Sequence, residues 1–314
     1  MKNIAHTRRT FLVSASLATL GTALHPALAA APPRNMSVKA SGPRFQKLPA
    51  ALAQLEKDNG GRLGVFVLDT GTGETAGHRA DERFAMCSTF KMLLAAAVLS
   101  RADADKENLD RAIAIPASVF LGNSPITKDH AGGKMTLRYL CQAAITHSDN
   151  TAANLLLDAI GGPPGITQFA RHLGDTVTRL DRTEISLNEA APGDPRDTTS
   201  PSAMVSDWQK LLLGSILSEP SRKQLTDWLI ANTTGSQRLR AGFPAGWTAG
   251  DKTGSNGETT SNDVAIVWPA NQSPMIVAAY LTECHGPEDK RSTVLAEVGR
   301  LVAKSIAPAD GRSA

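Results

Sequence analysis

The sequence predicts a mixed α/β (α+β) fold: one antiparallel sheet flanked by helices, with an all-α lobe inserted between its halves. Three observations predict it. Strand-like runs lie near the two ends of the chain. The middle reads as a succession of helices. And 314 residues, 41% of them hydrophobic, suffice for one large core or two intimate lobes. Since both ends supply strands, they share one sheet, and a cleft between sheet lobe and helical lobe is a natural place for a site.

The elements follow in order. Phe45 to Asn59 has helical periodicity and stops at Gly60-Gly61. Arg62 to Asp69 alternates as a strand through Leu63, Val65 and Val67. Thr70-Gly71-Thr72-Gly73 turns into a second strand near Glu74 to Arg79. Helices are expected over Ser88–Arg101, Thr136–Thr146, Asn150–Ile160, Ile166–Leu173, Ser202–Leu213 and Ser218–Asn232. Strands return at Trp247–Ser255, Asp263–Trp268 and Met275–Thr282, and an amphipathic helix closes the chain from Asp289 to Ile306. These give a single domain over 43–307, its sheet lobe drawn from about 43–80 and 233–307 and its helical lobe from about 81–232. No internal repeat is present.

Residues 1–29 read as an export signal. Thr7-Arg8-Arg9-Thr10-Phe11-Leu12 is a twin-arginine pattern, an apolar stretch runs to about Leu24, and Ala27-Leu28-Ala29 is a small-x-small cleavage signal. A membrane anchor is the alternative, but the stretch is shorter than the roughly 20 apolar residues a span needs. Periplasmic localisation by the twin-arginine route is therefore expected, with no stable membrane association. Without this segment the chain carries 30 basic and 30 acidic residues, so nothing suggests nucleic acid as a partner. Cys87, Cys141 and Cys284 cannot all pair within one chain. Neither they nor the seven histidines fit a zinc pattern, and no metal or cofactor is expected.

Three short motifs carry chemistry. Ser88 is the only serine followed three places later by lysine, Lys91, and the next eight residues, Met92 to Leu99, are apolar on every side. Such a helix is buried. Ser88 and Lys91 share a face of it, and burial with the positive helix end favours a neutral amine able to activate the hydroxyl. A serine N-cap beside a snorkelling lysine is the plain alternative. In Ser148-Asp149-Asn150, Ser148 can pass a proton to a leaving nitrogen and Asn150 can bond a substrate amide. Alone, this tripeptide reads as a helix cap. In Lys252-Thr253-Gly254-Ser255, the first two residues can bind a carboxylate, Gly254 leaves room for a ligand beside the backbone, and the Ser255 N–H can meet an oxyanion.

Together, in this order and at these separations, the three motifs resemble those of class A β-lactamases and penicillin-binding proteins. A fourth segment, Arg182-Thr183-Glu184-Ile185-Ser186-Leu187-Asn188, resembles the loop that class A β-lactamases place under the active site. The resemblance covers nearly the whole chain after residue 29. It implies a β-lactamase/transpeptidase-like fold and a monomeric serine hydrolase acting on small β-lactams. Ser88 would be the nucleophile, with Lys91 or Glu184 (through water) taking its proton. Ser148 would protonate the departing nitrogen near Lys252. Glu184 and Asn188 would hold the hydrolytic water, with Glu184 as the base that deacylates the enzyme. Arg182 and Asp197 match a salt bridge pinning the ends of the loop.

The sequence also departs from the family. Members often bind the substrate carboxylate with an arginine on the strand after Lys-Thr-Gly, where this chain has Ser261. Arg238 lines up with an alternative arginine found in some members, and Arg240 is the fallback. Leu121-Gly122-Asn123 lacks the aromatic residue that many members stack at the cleft rim. Family carbapenemases bridge the cysteine before the nucleophile to a second one. Here the second place is Asn256, so the resemblance implies no such bridge and points to penicillins and cephalosporins. The rival functions are a D,D-peptidase and a β-lactam sensor that acylates and stops. The peptidase lacks the Glu184–Asn188 pair, and the sensor needs a spanning segment. A Ser-His-Asp hydrolase has no Gly-x-Ser-x-Gly elbow here to support it.

Overall fold

The computed structural model describes residues 42–118 and 120–306. Residues 1–29, whose sequence reads as an export signal, therefore lie outside the described residues. In chain order the elements are α1 (Leu48–Asn59), β1 (Arg62–Asp69), β2 (Thr75–His78), β3 (Phe84–Ala85), α2 (Phe90–Asp103), β4 (Ala112–Ala114), α3 (Pro125–Asp129), β5 (Lys134–Thr136), α4 (Leu137–Thr146) and α5 (Asn150–Ala159). Then follow α6 (Pro163–His172), β6 (Thr198–Thr199), α7 (Pro201–Leu212), α8 (Glu219–Ile230), α9 (Leu239–Gly242), β7 (Thr248–Ser255), β8 (Ser261–Trp268), β9 (Met275–Thr282) and α10 (Glu288–Ile306).

The main sheet has the order β2-β1-β9-β8-β7, and every neighbouring pair is antiparallel. Both chain ends supply it, as the patterning predicts. β9 shows why its strands carry few polar residues. Val277, Ala279 and Leu281 enter one apolar cluster with Leu52 of α1 and Val298 of α10. Ile276, Ala278 and Tyr280 enter a second cluster with the inserted helices. Side chains of a strand alternate between faces, so a sheet covered on both sides is apolar in both registers. At the centre of the second cluster α2 is buried from Phe90 to Leu99 on all sides.

Four differences from the sequence reading have local causes. Pro49, within the first turn, starts α1 at Leu48, and Phe45 closes a separate 3₁₀ turn. Pro163 likewise starts α6 three residues early, because a proline at N1 begins a helix as readily as it ends one. Cys87–Thr89 forms a 3₁₀ turn and α2 begins only at Phe90. The ladders β3–β6 and β4–β5 and the helices α3 and α9 span two to five residues each, too few to show a period.

Candidate active site

The Ser88-Thr89-Phe90-Lys91 motif sits where sheet and helices meet. Cys87, in the 3₁₀ turn, has φ 44°, a left-handed conformation that turns the chain sharply into α2. Ser88 follows, 8% exposed. Its hydroxyl is not a helix cap; it donates to Glu184 Oε1 at 3.1 Å. Lys91, one turn on, is fully buried. Its Nζ donates to the Ser148 carbonyl at 2.8 Å and to Asn150 Oδ1 at 2.7 Å, and lies 2.9 Å from Glu184 Oε1. Burial lowers the pKa of this amine, and the nearby Glu184 carboxylate offsets part of that effect. One carboxylate oxygen thus touches both the hydroxyl and the amine.

Ser148-Asp149-Asn150 splits its tasks. Asp149 is the cap: its carboxylate accepts from the Ala152 N–H at 2.9 Å and from Thr127 N–H and Oγ1 at 2.9 and 2.8 Å, tying α5 to α3. That anchoring frees its neighbours. Ser148, with φ 56°, turns its hydroxyl between two amines, 3.3 Å from Lys91 Nζ and 3.1 Å from Lys252 Nζ. Asn150 gives its oxygen to Lys91, which leaves its amide N–H groups to donate to a ligand carbonyl. Lys252, on β7, is fully buried and also donates to the Thr253 carbonyl at 2.9 Å. Burial first, and the charge of Lys91 second, bring its pKa down to about 7.

Glu184 lies on a loop running back under these residues. Asn188 Nδ2 donates to its second oxygen, Oε2, at 2.7 Å, and Asn188 Oδ1 is buried without a protein partner. Asn154, one turn along α5 from Asn150, clamps the Glu184 backbone on both sides. Its Nδ2 donates to the Glu184 carbonyl and its Oδ1 accepts the Glu184 N–H, each at 2.9 Å. The sequence reading passed over Asn154, although its i+4 spacing from Asn150 places it on the same helix face. At the loop ends Arg182 Nε donates to Asp197 Oδ2 at 2.6 Å, and the other oxygen of buried Asp197 accepts the N–H groups of Asp181 and Arg182.

A model of the β-lactamase enzyme family matches residues 47–306. Relatives agree over the same span. β-Lactamase L2 of Stenotrophomonas maltophilia is 48% identical over 302 residues, 95% of this chain and 99% of the relative. β-Lactamase CTX-M-8 of Citrobacter amalonaticus is 48% identical over 251 residues, 80% of this chain and 86% of the relative. Among solved structures, an ancestral class A β-lactamase superposes with TM-score 0.81 at 59% identity, covering 82% of this chain and 100% of its own. The chain belongs to the class A β-lactamases. A β-lactamase from Xanthomonas campestris pv. campestris superposes similarly, with TM-score 0.82 at 48% identity, covering 84% of this chain and 99% of its own. The protein is thus a serine enzyme that hydrolyses β-lactams, an activity that confers antibiotic resistance.

In this β-lactamase the reading of one motif residue, Gly254, needs correction. A Cβ on Gly254 would lie 2.7 Å from the Met86 carbonyl and 3.2 Å from the Ser88 nitrogen. The space that glycine leaves is taken by the Met86–Ser88 turn and not by a ligand. Arg238 is buried, and its Nη1 donates to the carbonyls of Gly254 at 2.9 Å and Asn262 at 2.7 Å. Its Nη2 pairs with Glu288 at 2.8 Å. The fallback, Arg240, pairs with Asp251 and donates to the carbonyls of Leu229 and Ile230, so its guanidinium is occupied on α8. Thr253 shares a 2.5 Å hydroxyl contact with Thr234, a partner that no motif announced. Beside the loop, a cleft of about 510 Å³ is lined by Ile185, Ser186, Asn188, Ser255 and Asn256. Cys87 is a free, fully buried thiol whose pKa burial pushes up to about 12, which keeps it protonated.

Proposed function

We propose that this enzyme opens penicillins and cephalosporins through a Ser88 ester and that Glu184 then hydrolyses it. The observation that carries the reading is Glu184 Oε1, which contacts the Ser88 hydroxyl and the Lys91 amine together while Asn188 binds Oε2. Ser88 Oγ attacks the lactam carbonyl, and its proton passes to the Glu184–Lys91 pair. The backbone N–H groups of Ser88 and Ser255 face the oxyanion. As the C–N bond breaks, Ser148 gives its proton to the nitrogen and regains one from an adjacent lysine. Glu184 then takes a proton from water held with Asn188 Oδ1. The hydroxide attacks the ester, and Ser88 leaves with a proton returned to it. Asn150 and the cleft by Ser255 hold the acyl side chain, and Arg238 with Thr253 faces the substrate carboxylate. Arg182 and Asp197 keep the loop closed beneath it.

The twin-arginine pattern supports export to the periplasm, where β-lactams arrive, and the family resemblance supports a monomer. Among the described residues no helix is long and apolar enough to cross a membrane. The Glu184–Asn188 pair favours full turnover over a stalled acyl-enzyme. Mass spectrometry after mixing with a chromogenic cephalosporin tests the scheme. Wild type should turn over steadily, Glu184→Ala should retain a stable acyl adduct, and Ser88→Ala should form none. Stoichiometric acylation without turnover in wild type would overturn the hydrolytic reading.

A further inference from the structure

Arg238 is held in an unusual way for a side chain assigned to a ligand. Its Nη1 already donates to two strand carbonyls, Gly254 at 2.9 Å and Asn262 at 2.7 Å, which fix the guanidinium across β7 and β8. Nη2 additionally meets Glu288, the first residue of α10, at 2.8 Å. The pair is lopsided, with 7% of the arginine side chain exposed and 46% of the glutamate. Two backbone acceptors suffice to orient a planar guanidinium, so the main contribution of Glu288 is charge. It neutralises the cation that lies beside Lys252 and Gly254.

We propose that Glu288 is a specificity residue that screens Arg238 and so weakens the enzyme's preference for substrates with a free carboxylate. The inference rests on the reading that Arg238 faces that carboxylate. Removing the charge of Glu288 leaves the Arg238 guanidinium without its ion-pair partner, and its field toward an anion in the open cleft is strengthened but still screened in part by solvent and salt. Gln at 288 is the informative change. It keeps the size and an oxygen that can accept from Arg238, while Asp289 keeps an acid in the first turn of α10.

The experiment measures steady-state hydrolysis of one penicillin as its free acid and as its methyl ester. For Glu288→Gln, KM for the acid should fall about two- to fivefold with kcat unchanged, an estimate from Coulomb attraction at a partly exposed site. KM for the ester should not change. The gain should shrink in about 1 M salt, where the Debye length is roughly 3 Å. Glu288→Lys should move KM further in the same direction. An unchanged or raised KM for the acid in Glu288→Gln would overturn the proposal, because the glutamate would then be inert or would position the arginine. Arg238→Gln separates the two readings. If it abolishes the acid–ester difference while Glu288→Gln does nothing, the Arg238 assignment stands and the screening role fails. If it leaves that difference intact, the Arg238 assignment fails and the proposal with it.

Discussion

Asp207, on α7, is fully buried against Asp175, and neither of its oxygens nor Asp175 Oδ2 accepts a hydrogen bond from another group. Asp175 is engaged through Oδ1, which caps the turn at Val177 and Thr178. Two facing carboxylates in this state need one proton between them. Burial, with the Asp175 charge second, raises the Asp207 pKa to about 9, against opposing fields from Lys210 and Arg171. The folded protein therefore keeps a proton that the unfolded chain releases near pH 3.8. Stability falls as pH rises between those two values, by at most about 1.4 kcal/mol per unit. From pH 6 to pH 8 this group alone costs up to about 2.7 kcal/mol. Asp207→Asn cannot titrate, and its amide can donate to Asp175 Oδ2. Denaturant unfolding of both proteins at pH 6, 7 and 8 should show the variant gaining on wild type by about 1.4 kcal/mol per unit, or roughly 3–5 °C in Tm for a domain of this size. A constant difference across that range would mean that Asp207 is ionised in the fold, and the shared-proton reasoning would be wrong.

Two further outcomes follow from the site. Lys252 titrates near 7 and lies 3.1 Å from the Ser148 hydroxyl. If the charged form serves, kcat/KM should decline above about pH 7, and Lys252→Arg, which stays charged, should shift that decline upward by a unit or more in a pH–rate profile. Arg182→Ala leaves buried Asp197 without its cation. It should cost about 3 kcal/mol by thermal unfolding and slow deacylation more than acylation in single-turnover experiments, since the freed loop carries Glu184.

How legible the protein was depends on whether a feature is local. The strands Arg62–Asp69 and Met275–Thr282 matched residue for residue, because a short apolar run between two covered faces is written in consecutive residues. The inserted lobe was visible from the order of elements, a block of helices between strands at both ends, and the burial of its helix α2 from the apolar run Met92 to Leu99. The motif residues Ser88, Lys91, Ser148, Asn150, Glu184, Asn188 and Lys252 do converge in space. Their assembly, however, rested on a family resemblance and not on any spacing rule. What remained hidden were contacts between distant segments. Asn154 on the Glu184 backbone and Thr234 on Thr253 bridge 30 and 19 residues. The occupant of the space at Gly254 is a carbonyl 168 positions away in sequence, and neither its identity nor its approach can be read from a glycine alone.

Lys252 and Asp207 also pull the stability of the whole molecule in opposite directions, and this bears on how the site is tolerated. A lysine lowered from 10.5 to about 7 holds fewer protons folded than unfolded. Its penalty, up to about 5 kcal/mol, is complete below pH 7 and is relieved as pH climbs toward 10.5. The penalty of Asp207 grows over pH 3.8 to 9. Between pH 7 and 9 the two slopes are equal in size and opposite in sign, so a stability curve of the wild type is nearly blind to both. The buried amine of Lys252 is therefore least destabilising in the range where the Asp207 carboxyl becomes most so. Asp207→Asn removes one side of that compensation, so its stability relative to wild type should keep growing from pH 7 to 9.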